Sequence, residues 1–278
     1  MLLHSDRVEF ATRDAPGLHA RRWLPAATPA GIAVIVHGLA EHGGRYDELA
    51  ARLGARGLAV YALDHRGHGR SAGVRAFIPS AAAIVGDLGA FLANVRARHP
   101  GLGVTVIGHS FGGAVALLAA LDYPARIDRL VLSAPAVATD PKLPRVRLLV
   151  GRLLSAIAPT VGILKLPAAA VSRDPAVVAA YRADPLVWHG AIPARTVVEL
   201  LGAMRQIGLR AAELSVPVLV MHGGADALVP LRHNAPVYAR LPGGLATLRV
   251  YEGLAHELFN EPERAAVYAD LENWLDRA

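Results

Sequence analysis

Few folds accept a chain that runs a β-branched strand, Val104-Thr105-Val106-Ile107, straight into Gly108-His109-Ser110-Phe111-Gly112-Gly113 and on into the apolar run Ala114 to Leu118. The pattern is a buried strand, a turn of small residues with one serine at its apex, and a buried helix. Such a sharp turn lifts the serine hydroxyl off the sheet edge. It also brings neighbouring backbone so close that the residues two before and two after must be small, and Gly108 and Gly112 meet that demand. A bare G-x-S-x-G arises by chance in many chains, so the strand before it and the helix after it give this one its meaning. The competing reading is that Ser110 only caps the helix, but a cap needs neither flanking glycines nor a strand directly before it.

Length and composition narrow the chemistry. With 278 residues, 53% of them hydrophobic, the chain can bury a large core as one α/β domain carrying an insertion. Cysteine is absent, which removes disulfides, thiolate metal sites and cysteine nucleophiles. The formal charge of +6 comes from arginines scattered along the chain, without a basic run or interleaved aromatics, so no nucleic-acid partner is expected. The start, Met1-Leu2-Leu3-His4-Ser5-Asp6, lacks a basic segment followed by a long apolar one, so the cytoplasm is the default location. The longest apolar region, 148–171, is broken by Arg152, Pro159, Lys165 and Pro167 and is a poor membrane span.

Along the chain, strands are expected at 7–10 and 18–23, forming a hairpin turned at Asp14-Ala15-Pro16-Gly17, and then at 32–36, 58–63, 104–107, 127–133, 216–221 and 246–251. Helices are expected over 46–56, 82–98, 194–212, 233–240 and 262–277, the last capped by Asn260 and Glu263. Alternating strands and helices require a mostly parallel sheet covered on both faces, with sites outside the carboxyl ends of strands. The loops 37–44 and 64–71, Ser110, Asp226 and His256 all begin at such ends and should converge. The rhythm breaks over 137–185, a proline-rich apolar segment read as a helical cap between two core parts, 1–136 and 186–278.

Serine is a weak nucleophile at neutral pH. It needs an imidazole to take its proton and a carboxylate to fix the imidazole tautomer and stabilise its cation. The order Ser110, Asp226, His256 supplies all three, with the acid and base on loops after later strands. Asp226 is also readable as a turn residue ahead of Val229-Pro230, in which case Asp128 or Asp140 would take its place. Acyl transfer further needs donors aimed at the developing oxyanion, and the backbone amides of Phe111 and Leu39 are the candidates. The chemistry calls for no metal or organic cofactor.

The pieces His37-Gly38-Leu39-Ala40-Glu41-His42, Tyr61-Ala62-Leu63-Asp64-His65-Arg66-Gly67-His68-Gly69-Arg70-Ser71, Gly108-His109-Ser110-Phe111-Gly112-Gly113, Leu132-Ser133-Ala134-Pro135-Ala136, Ser172-Arg173-Asp174-Pro175 and Tyr251-Glu252-Gly253-Leu254-Ala255-His256-Glu257 together resemble the monoacylglycerol lipase and lysophospholipase branch of the α/β-hydrolase family. The resemblance spans essentially the whole chain. It implies an eight-stranded sheet with a cap inserted after the sixth strand, and cleavage of a monoacylglycerol into fatty acid and glycerol. It also implies a polar patch for the glycerol head at Glu41 and Arg45, with His109 beside the serine as a further substrate contact. Glu41 and Arg45 are equally readable as a structural ion pair or a cap for the following helix. Where some members place a second histidine three residues after the first, this chain has Phe259, which loosens the inference of a glycerol head. A carboxylesterase or lysophospholipase, and a non-hydrolysing binding protein of the same fold, are the alternatives.

Within the cap, Leu149, Leu153, Ala156 and Ile157 share one helical face, with Arg145 and Arg152 elsewhere on the wheel. Leu149 and Leu153 are expected to line the acyl path and to form an apolar lip for peripheral contact with anionic membranes. A plain core helix or a subunit interface would account for the same pattern. The expected partners are a lipid ester substrate and at most a second copy, as a monomer or homodimer.

Overall fold

The computed structural model describes residues 4–12 and 15–277. In chain order the elements are β1 (His4–Thr12), β2 (Ala15–Leu24), β3 (Gly31–Val36), α1 (Asp47–Ala55), β4 (Leu58–Leu63), α2 (Ala81–Arg98), β5 (Val104–His109), α3 (Phe111–Asp122) and β6 (Arg129–Ser133). They continue as α4 (Arg145–Ile157), β7 (Gly162–Leu164), α5 (Pro175–Ala183), β8 (Ile192–Pro193), α6 (Ala194–Arg210), β9 (Val218–Gly223), α7 (Leu231–Tyr238), β10 (Ala246–Tyr251) and α8 (Arg264–Arg277). Asp14 of the expected hairpin turn lies outside the described residues, while Ala15 to Gly17 belong to β2.

Eight strands form one sheet in the order β1-β2-β4-β3-β5-β6-β9-β10. From β4 to β10 every pairing is parallel; the β1–β2 hairpin adds the antiparallel edge. The central strands β3, β5 and β9 are buried at every residue, which is why they read as continuous apolar runs without alternation. Successive side chains still point to opposite faces. Val34, Val106 and Val220 pack under α2, α3 and α6 with Leu88, Leu117 and Ile207. Ile35, Ile107 and Leu219 pack on the other face under α1 and α8 with Leu49, Leu53 and Leu271.

The sheet is doubly wound, since the chain leaves β3 to one side for β4 and returns on its other side as β5. The crevice at the carboxyl ends of β3 and β5 is therefore the topological place for a site. Between β6 and α6 the chain leaves the sheet to build α4, β7 and α5, so the insertion does follow the sixth strand. Its small strand β7 pairs with β8, which lies beyond residue 185 and ties the insertion to the start of α6.

Candidate active site

At the end of β5 the backbone turns through Ser110 with φ 53° and ψ −121°. An L-residue seldom adopts a positive φ, and the surroundings hold it there. The Ser110 amide donates to Ser133 O at 2.9 Å, and its carbonyl accepts from Ala136 N at 3.0 Å. A Cβ on Gly112 would stand 2.1 Å from Val36 O, and one on Gly108 would stand 2.6 Å from Gly112 O. The small residues around the serine are thus demanded by the close approach of β3 and α3.

His256 and Asp226 arrive on the loops after β10 and β9. His256 Nδ1 lies 2.7 Å from Asp226 Oδ2. With Nδ1–H committed to the carboxylate, the neutral ring carries its lone pair on Nε2. The other carboxylate oxygen, Oδ1, accepts from Leu228 N at 2.9 Å and Val229 N at 2.8 Å. Asp226 therefore holds the turn and the imidazole together. Burial alone would raise this carboxyl, but the His256 hydrogen bond and charge and the Val229 amide keep it below its ordinary range. Behind it His222 Nε2 donates to Val229 O at 2.7 Å, and the Tyr238 hydroxyl donates to His222 Nδ1 at 2.8 Å. Neither substitute pairs with His256: Asp128 accepts from Val104 N and Arg96 at 2.7 Å each, at the amino end of β5, and Asp140 is exposed on the rim of the cavity.

Ser110 and His256 both border a cavity of about 360 Å³, and Leu39 and Phe111 stand in the same wall. The loop carrying Leu39 is fixed from two sides. Glu41 Oε1 accepts from Gly38 N at 2.6 Å and from the Tyr46 hydroxyl at 2.7 Å. Asp64 accepts from Gly43 N at 2.8 Å and Arg70 N at 2.9 Å, tying this loop to the one after β4. Ala40 holds φ 67° between them. His109 closes the wall with its ring 4.7 Å from that of His256 and its Nδ1 donating to Ser133 O at 3.1 Å. Burial, and then the neighbouring His256, push the His109 ring down to about 4.

Glu41 and Arg45 form an ion pair at 2.6 Å, and the arginine is shared. Its NH1 also donates to Glu257 Oε1 at 2.6 Å and its NH2 to Glu257 Oε2 at 2.8 Å. Against the cost of burial, the two carboxylates raise the guanidinium above its already high range, and Arg45 drives Glu41 down. Of this group Glu257 was not foreseen; its only local signal is adjacency to His256. Glu261 was not foreseen either; it is fully buried and accepts from the Ser172 hydroxyl at 2.6 Å, Arg173 Nε at 2.6 Å and Ala255 N at 2.8 Å. It joins the segment inserted between β6 and α6 to the His256 loop, as does Glu257 N donating to Val171 O at 2.8 Å.

The cavity also has an apolar lining of Leu164, Leu166, Val197, Leu200, Leu201 and Met204. Leu149 and Leu153, expected in this wall, are not there: they are 67% and 57% exposed. Helix α4 turns its small face, Gly151 and Ser155, inward onto α6, where a Cβ on Gly151 would sit 3.8 Å from Val198 Cγ2. Small residues permit that close approach, and the leucines are left outside.

A doubly wound sheet with a strained serine after its fifth strand, and a carboxylate–imidazole pair delivered by the loops after its last two strands, defines a serine hydrolase of the α/β-hydrolase class. The family model for serine aminopeptidase, S33, matches residues 27–263. The chain belongs to this family, in the branch that includes the monoacylglycerol lipases. It is 43% identical over 253 residues to the monoacylglycerol lipase of Mycolicibacterium smegmatis, covering 91% of this chain and 90% of that one. It is 30% identical to the monoglyceride lipase of Homo sapiens, over 99% of this chain and 91% of that one. The crystal structure of Paleococcus ferrophilus monoacylglycerol lipase superposes with a TM-score of 0.81 at 28% identity, covering 99% of this chain and 98% of the other.

Proposed function

We propose that the protein hydrolyses monoacylglycerols to a fatty acid and glycerol through an acyl-enzyme on Ser110. Nε2 of His256 takes the Ser110 proton as Oγ attacks the ester carbonyl, and Asp226 stabilises the imidazolium that results. The backbone amides of Leu39 and Phe111 donate to the oxyanion. His256 passes its proton to the departing glycerol oxygen, then activates a water that releases the fatty acid and restores Ser110. Chemistry of this kind needs no metal or organic cofactor.

The observation that carries this reading is the lining of the cavity. Ser110 and His256 share it with apolar leucine, valine and methionine side chains, which we read as the acyl arm, and with the carboxylates of Glu41 and Glu257, as an ester of one long acyl chain and a small polar alcohol requires. We read 137–185, pinned by β8, as the cap that encloses the acyl arm. Among the described residues no helix is long and apolar enough to cross a membrane. On α4, exposed Val146, Leu149, Leu153 and Ile157 stand with exposed Arg145 and Arg152, a surface suited to peripheral contact with anionic lipid from which substrate enters.

An acyl-type fluorophosphonate tests the chemistry directly. The intact mass should rise by one adduct, peptide mapping should place it on Ser110, and Ser110→Ala should remain unmodified. An adduct on another serine, or none on the wild type, would remove the mechanism.

A further inference from the structure

The charge of the cavity is opposite to that of the protein. The chain carries 29 Lys and Arg against 23 Asp and Glu, yet the residues lining the cavity include three carboxylates, Glu41, Asp140 and Glu257, and no Lys or Arg. The nearest cation stands behind the wall. Arg45 is buried between Glu41 and Glu257, and the Tyr181 ring covers its guanidinium carbon at 4.8 Å. Tyr181 and both carboxylates border the cavity; Arg45 does not. One guanidinium faces two carboxylates, so the alcohol end of the site holds a surplus negative charge in a buried setting where water screens it weakly. The His109 ring does not offset it, because burial keeps that imidazole neutral near pH 7.

From this geometry we infer that the site selects its substrate by charge: acyl esters of neutral or cationic alcohols are admitted, and esters whose alcohol carries a phosphate are refused, with Glu257 the residue that sets the surplus. This inference rests on the reading of the cavity as the acyl-ester site. Glu257 is well placed to act as a fixed charge. Both its oxygens are held by Arg45, one of them also accepts from Asn260 Nδ2 at 2.8 Å, and the residue follows His256 directly in the chain.

The test compares 1-dodecanoylglycerol with 1-dodecanoylglycerol 3-phosphate, which differ only at the alcohol end. Binding is measured calorimetrically in Ser110→Ala, and kcat/KM in the protein with Ser110 intact. The neutral ester should be favoured in both by on the order of tenfold or more at low salt, and the preference should shrink as salt rises. Glu257→Gln should narrow the ratio several-fold. Asp140→Asn, on the exposed rim where folding is not at stake, should narrow it less. Equal binding of the two lipids, or a ratio unmoved by both substitutions and by salt, would overturn the inference. If Ser110→Ala prefers the neutral ester while the intact protein hydrolyses neither, charge selection stands and the catalytic reading falls.

Discussion

Ser110 is held in a conformation it would not choose, and the glycines around it are the condition for holding it. Gly112→Ala would drive a methyl group to 2.1 Å from Val36 O, so β3 and α3 must move apart. We expect a loss of about 3 kcal/mol in urea unfolding, in line with overpacking of a tight core; an unchanged midpoint would mean the elbow is looser than described. Asp226→Asn keeps the shape of the turn but removes the carboxylate charge beside His256, which the proposed mechanism uses to stabilise imidazolium. Its kcat should fall by about a thousandfold with KM little altered, and a loss confined to KM would assign Asp226 to substrate binding instead. The placements of Ser110, Asp226 and His256 were legible because each follows a strand whose apolar run marks its end. Glu257 was not, since its partner Arg45 lies 212 residues away and nothing local to either signals the pairing.

Helix α4 shows what element-level reading gains and loses. Its amphipathic period is plain in the sequence, but the period does not say which face is inside. The apolar face is expected to serve both as wall of the acyl path and as an outer lip, whereas the structure leaves it outside and buries the small face, Gly151 and Ser155, on α6. Small residues bury less area but allow closer backbone approach, and a pattern count weighs area only. Because Leu149 and Leu153 are exposed, replacing both with serine should leave the melting temperature within about a degree of wild type. The same variant should lose flotation with anionic vesicles while wild type floats. A melting temperature lowered by several degrees would show these leucines to be structural, and equal flotation would dismiss α4 as the lipid contact. The attachments of the segment between β6 and α6 were equally hidden, because β7–β8, Arg173–Glu261 and His42 Nε2 to Asp184 Oδ2 at 2.8 Å are all long-range pairings.

At the scale of the molecule the interior holds imidazoles that cannot take protons without loss. The rings of His37 and His65 lie 4.2 Å apart and those of His37 and His68 lie 5.6 Å apart. Backbone partners fix them as neutral tautomers: His37 Nδ1 donates to Gly38 O at 2.8 Å while its Nε2 accepts from His65 N at 2.9 Å, and His68 Nδ1 donates to Arg66 O at 2.9 Å. Burial pushes all three down, His68 to about 3 from an ordinary 6.5. The unfolded chain therefore binds protons that the folded one refuses, and stability falls as pH drops from about 6.5 toward 3. Glu41 and Asp226, held below their usual range, are lost in the same direction at the acid end. The melting temperature should decline steadily from pH 7 to pH 4; a flat or rising profile would contradict the buried neutral cluster. The overall architecture was legible from strand and helix alternation, whereas this cluster required knowing that the loops after β3 and β4 meet. The reaction itself is measured as the release of glycerol and fatty acid from a long-chain monoacylglycerol by purified protein. Wild type should release the two in equal amounts over many turnovers and folded Ser110→Ala should release neither, whereas matching release by both, or none by wild type, would contradict the account.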